Sequence, residues 1–190
     1  AGVALVNQVQ FLLQMLIVGV ADGALVFGSR AWGSKDMDTV RKITSISVKC
    51  ALIVAFVLGI TAYLLPNQIL RLLSDEIAVV NSGAEYLKII CYSYPMFAIT
   101  TTLLIALRSV EKAKIGFYVS LSTLVTNIFL NYAMIFGEFG FKPMGIKGAA
   151  YATLISRALE MIFVVLYVFL SDKTINLKLK DILSTDISLF

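Results

Sequence analysis

Histidine is absent from the 190 residues, and cysteine, tryptophan and proline are scarce, at two, one and three. Without histidine there is no Ser-His-Asp or Cys-His catalysis, no imidazole metal ligand and no histidine pH switch. Cys50 and Cys91 each sit inside an apolar run. That placement excludes a disulfide framework and a four-ligand zinc site. There is no Gly-rich phosphate loop, so nucleotide hydrolysis has no support, and nothing else points to an enzyme. Charge is sparse as well: 15% of residues, against about 25% in a soluble domain. The net charge of +4 would suit nucleic acid. The basic residues lie in short loops between apolar runs, however, and that is a topology signal.

What the chain has in excess is apolar surface. Hydrophobic residues make up 59%, and the mean hydropathy is +0.89. A soluble domain of this size cannot hide so much. A hydrocarbon core about 30 Å thick takes about 20 apolar helical residues. Five stretches qualify, at residues 3–29, 44–65, 84–107, 115–136 and 146–170. They are too long for barrel strands and do not alternate. The expected fold is therefore all-α, a polytopic membrane bundle of five transmembrane helices over 1–170 with a tail at 171–190. Between the second and third spans, Pro66-Asn67 opens a longer connection with a short amphipathic segment from Ile69 to Val80.

Loops after the first, third and fifth spans carry eleven of the sixteen basic residues, including Lys173, Lys178 and Lys180 in the tail. The positive-inside rule puts those loops in the cytoplasm. The N-terminus then faces out and the C-terminal tail is a cytoplasmic linker. Because the chain enters an apolar helix directly and without Met, a preceding helix is expected, and the chain reads as a piece of something longer.

Polar groups in hydrocarbon are costly and turn toward a partner helix or water. At the helical period three stripes emerge. The first span aligns Asn7, Gln10, Gln14 and Asp22. The fourth aligns Ser120, Thr123, Asn127 and Asn131, and the fifth Ala149, Thr153, Ser156 and Glu160, with Arg157 beside them. Three wet faces predict one common polar cavity, although interhelical hydrogen bonding accounts for any single hydroxyl. Arg157 and Glu160 are spaced to pair within the fifth span. Either they contact a coupling ion or substrate, or they form a structural ion pair. Gly145, Gly148, Ala149, Ala152 and Thr153 carry a close-packing signature. Gly19 and Gly23 are expected to loosen the first span, and Pro95 to kink the third. Tyr86 and Trp32 fit an interfacial aromatic belt.

The order of segments resembles the multidrug and toxic compound extrusion (MATE) transporters. The more specific stretches are Asn127-Ile-Phe-Leu-Asn131-Tyr and Met144-Gly145-Ile-Lys-Gly148-Ala149-Ala150-Tyr-Ala152-Thr153-Leu-Ile-Ser156-Arg157. Weaker ones are Asn7-Gln8 through Gly19, Gly23-Ala24 through Trp32-Gly33-Ser34-Lys35-Asp36, Gly83-Ala84-Glu85-Tyr86-Leu87 and Arg108-Ser109. The resemblance implies a twelve-helix antiporter of two six-helix lobes. It exports organic cations or drugs as sodium ions or protons flow in, with no cofactor. This chain would be the N-terminal lobe without its first helix. Its partners would be the lipid bilayer, a small organic cation, that first helix and the C-terminal lobe.

The family's cation site in this lobe uses an Asp on the first helix, an Asn and an Asp one turn apart on the fifth, and a Thr on the sixth. The first Asp lies outside this chain. The Asn matches Asn127, the second Asp position holds Asn131, and the Thr matches Thr153. The resemblance thus implies a sodium site at Asn127, Asn131 and Thr153. Asn131 can offer an oxygen to sodium but cannot carry a proton. Asp22 and Glu160 are the alternative carboxylates, and Gln14 and Arg157 the further contacts for cation or substrate. The alternatives are a lipid-linked precursor flippase of related fold and an inactive truncated membrane module.

Overall fold

The computed structural model describes residues 2–172, 174, 175 and 177. Lys173, Lys178 and Lys180, and with them most of the 171–190 tail, lie outside the described residues. Among the described residues seven α-helices follow one another: α1 Gly2–Gly33, α2 Met37–Leu64, α3 Pro66–Arg71, α4 Ile77–Ile90, α5 Ser93–Ser109, α6 Ala113–Phe136 and α7 Ile146–Leu166. A π-helical turn, Tyr167–Ser171, closes α7. Among the described residues, four helices are long and apolar enough to cross a membrane, and the number is five when α4 and α5, which pass the same test together, are counted as one bent span. The fold is thus an all-α bundle of a multi-pass membrane protein.

Local chemistry sets the corners. Asp36 caps α2: one carboxylate oxygen accepts from the Thr39 amide at 3.0 Å and the other from the Thr39 hydroxyl at 2.6 Å. These two bonds, the hydroxyl first, hold the Asp36 carboxyl below its ordinary range. Gly137 ends α6 in the left-handed region, at φ 81°, with its amide on the Ala133 carbonyl. Pro143 packs against it so closely that a Cβ would meet the ring at 2.7 Å.

Two expectations need correction, and the kink at Pro95 holds. Gly19 and Gly23 leave α1 unbroken, because an unstrained helix continues through a glycine at a cost of only about 1 kcal/mol. The segment from Ile69 to Val80 is not one helix; α3 ends at Arg71 and α4 starts at Ile77. The third span bends by 55° at the break between α4 and α5, before Pro95. A proline ring clashes with the carbonyl four residues earlier, here that of Cys91, so the helix breaks upstream of the ring. Across from the bend, α2 carries Gly59, whose missing Cβ would lie 3.6 Å from the Cys91 carbonyl oxygen.

In a bilayer, packing rather than water exclusion joins helices, so small residues sit at the crossings. Ala51, Ala55, Ala98, Ala150 and Ala152 are fully buried. Large side chains such as Phe11, Phe56, Phe117 and Phe163 are exposed on the outside, as lipid-facing residues are. The α1–α2 and α5–α6 corners and the end of α7 gather at one end of the bundle. There, Lys112 bonds the buried Asp172 carboxylate. Asp172 also accepts from the Ile175 amide at 2.9 Å, and the Arg41 guanidinium donates to the Ile175 carbonyl at 2.7 Å. Ile175 and Leu177 are buried in the core at that end.

Candidate functional site

Two of the three polar stripes meet. α6 packs along α7, and α7 in turn packs on α5 and α4. Gly148 permits the α6–α7 crossing: a Cβ there would lie 2.5 Å from the Met134 carbonyl oxygen. Beyond that crossing the facing stripes enclose a cleft of about 270 Å³. From α6 it is lined by Ser120, Thr123 and Asn127, and from α7 by Thr153, Ser156, Arg157 and Glu160.

The hydrogen bonds give this cleft a polarity. The hydroxyls of Thr123, Thr153 and Ser156 donate back to the carbonyls of Val119, Ala149 and Ala152, at 2.9, 3.0 and 2.8 Å. Their protons are spent on their own helices, which leaves oxygen lone pairs for the cleft. Asn131 donates to the Asn127 amide oxygen at 2.9 Å, and Asn127 donates to Ser156 across the helix interface at 3.3 Å. Asn131 keeps its own amide oxygen as an acceptor.

Glu160 is buried, with its side chain 5% exposed, and takes a 2.8 Å bond from Arg157 one turn earlier. The Arg157 guanidinium lies 4.9 Å from the centre of the Phe97 ring on α5. A charge at mid-bilayer costs about 2.5–3.5 kcal/mol on insertion scales, so both partnerships offset a real penalty. Tyr86, expected in an interfacial belt, is instead 4% exposed and faces Thr153 from α4. Neither Tyr86 nor Phe97 was legible as a site residue, since both arrive from helices without a polar stripe.

The α1 stripe does not join the cleft. α1 packs against α2, α5 and α4, so α4 and α5 stand between it and α7. Asn7 and Asp22 are exposed, Gln10 and Gln14 half-buried, and none of the four lines the α6–α7 cleft. The expected three-helix cavity is a two-helix cleft, because an amphipathic period fixes a face and not the neighbour it meets. A wider fissure of about 510 Å³ separates α1 from α2, walled by side chains such as Val20, Phe27 and Ile46. It gathers no buried charge; its Arg30 and Asp36 are exposed.

Known proteins are similar to this chain in sequence and in fold. A family model described as MatE matches residues 1–133. The chain is 35% identical over 157 residues to a probable multidrug resistance protein NorM of Thermotoga maritima, covering 83% of this chain and 34% of that protein. It is 30% identical over 178 residues to a probable multidrug resistance protein YoeA of Bacillus subtilis, covering 90% of this chain and 38% of that one. Among solved structures, the inward-facing conformation of a multidrug resistance MATE family transporter superposes with a TM-score of 0.86 at 22% identity, over 95% of this chain and 40% of that chain. The chain therefore spans a little over a third of the length of these relatives. By sequence match and by fold, it belongs to the MATE family of transporters.

Proposed function

We propose that this chain is one lobe of a secondary antiporter that exports organic cations or drugs in exchange for sodium ions or protons. The α6–α7 cleft is where the coupling cation binds. The observation that carries this reading is the cleft's polarity. Three hydroxyls donate to their own backbone, so the wall offers lone pairs around a buried carboxylate. Hard cations take oxygen ligands. Asn127 and Thr153 supply neutral oxygens from the cleft wall, Asn131 stands outside that wall and holds the Asn127 amide from one turn away, and Glu160 supplies charge. Asp22, exposed on α1, and the half-buried Gln14 are left for substrate or for the other lobe. The end of the bundle that holds Lys112, Arg41 and Arg108 faces the cytoplasm, as the positive-inside rule requires. Alternating access then needs a second lobe against which this one rocks.

Expression of the full-length transporter in efflux-deficient cells tests the proposal. Cationic dye should accumulate less in those cells, and collapse of the sodium and proton gradients should remove the difference. No gradient-dependent efflux of any cationic dye would refute it. A flippase for anionic lipid-linked precursors would need a broad cationic cavity, whereas the one basic residue of this cleft is neutralised by Glu160.

A further inference from the structure

The structure carries a second message at the ion pair. Glu160, Ser156 and Thr123 line the Asn127 cleft and also a second cleft of about 520 Å³, which runs toward Ile115 and Tyr118 at the start of α6. The buried carboxylate thus sits at the junction of two openings. Charged groups facing it are few. From α7 there is only Arg157, and from α6 none, since no ionised side chain occurs between Lys114 and Glu138. From α5 the Phe97 ring faces Arg157, and from α4 the Tyr86 phenol faces Thr153. Tyr118 borders the second cleft.

We infer that Arg157 is a built-in competitor for the coupling cation: guanidinium and cation take turns on the Glu160 carboxylate. In the structure Arg157 neutralises Glu160 at 2.8 Å. A monovalent cation entering either cleft meets the lone pairs of Ser156 and Thr123 and displaces the guanidinium. Arg157 is not stranded, because the Phe97 ring face already holds it at 4.9 Å. Net charge at the site stays balanced within one unit in both states, and this limits the penalty of burying either one. The inference deepens the coupled-export reading and rests on it for its role in transport. The competition itself can be measured without transport.

The test uses the purified full-length transporter, with sodium chloride as the probe and choline chloride as the ionic-strength control. Sodium protection against thermal unfolding gives the affinity. Measurement at about pH 8.5 keeps carboxylates ionised. Arg157→Gln removes the competitor, so half-maximal protection should need about tenfold less sodium, as expected for loss of one charge-assisted bond. Arg157→Lys should stay near wild type, and Glu160→Gln should abolish protection by sodium. A structural ion pair predicts the opposite sign: Arg157→Gln would weaken protection or leave it unchanged. That result, or sodium protection surviving Glu160→Gln, would overturn the inference, as would a wild type that sodium does not protect. Should Arg157→Gln not fold alone, the double variant Arg157→Gln/Glu160→Gln removes the stranded charge and must be folded and insensitive to sodium. Loss of gradient-driven dye efflux in wild type with the competition intact would sink the export reading alone.

Discussion

Replacing Gly148 with alanine tests whether one close approach builds the site. The new Cβ would stand 2.5 Å from the Met134 carbonyl oxygen and 2.8 Å from its carbon. Both are backbone atoms, and the oxygen also accepts from the Met144 amide at 3.0 Å, so it cannot simply swing aside. Since real Cβ contacts hardly occur below 3.0 Å, the helices must part locally by at least about 0.5 Å. The Asn127–Ser156 bond, at 3.3 Å, has no slack for that and should break. Alanine gains about 1 kcal/mol of helix propensity over glycine. Overpacking costs about 1–3 kcal/mol, and the lost interhelical bond adds about 0.6 kcal/mol. The strain wins, for a net loss of about 1–2 kcal/mol. In a thermal unfolding assay in detergent, a chain of this size drops by about 2–4 °C per kcal/mol. Gly19→Ala and Gly23→Ala are the controls: nothing lies within 4 Å of either, so neither should fall. A Gly148→Ala protein that melts at or above wild type, with its sodium protection unchanged, would refute the reasoning.

Asp172→Ala removes the acceptor shared by Lys112 and the Ile175 amide. It should cost about 2–3 kcal/mol, at the lower end because Lys112 is partly exposed. Asp172→Asn still accepts from the amide and should cost about half as much; equal losses in thermal unfolding would contradict this division. Asp36→Ala should lower the melting temperature at neutral pH. The folded Asp36 carboxyl titrates below its ordinary value of 3.8, so its contribution is present above that value and fades as pH falls through the folded one. The gap between variant and wild type should close on acidification, and a gap that widens there would reverse the sign. Pro95→Ala returns an amide donor to the Cys91 carbonyl and should reduce the 55° bend, read as a change in distance between spin labels on α4 and α5. An unchanged distance would assign the bend to packing against α2.

Much of the fold was legible in the order of apolar runs. Segments of that length can satisfy their backbone inside lipid only as helices, so span number and approximate position follow from hydropathy. The Arg157–Glu160 pair was legible too, since partners one turn apart belong to the same helix and need no knowledge of the fold. The same local logic placed a break near Pro95. It failed for Tyr86, whose position near a span end suggested an interface, while the packing of α4 on α7 buries it against Thr153.

What the sequence determined by itself is everything that depends on one helix at a time: the spans, the polar face of each, and the ion pair within α7. What only the tertiary structure decided is which faces meet. The stripes of α6 and α7 share a cleft because Gly148 lets those two backbones touch, while α4 and α5 separate α1 from them. Helical periodicity fixes the angle of a side chain about its own axis. The neighbour at that angle is fixed by close packing between helices distant in sequence, and no single segment contains that information.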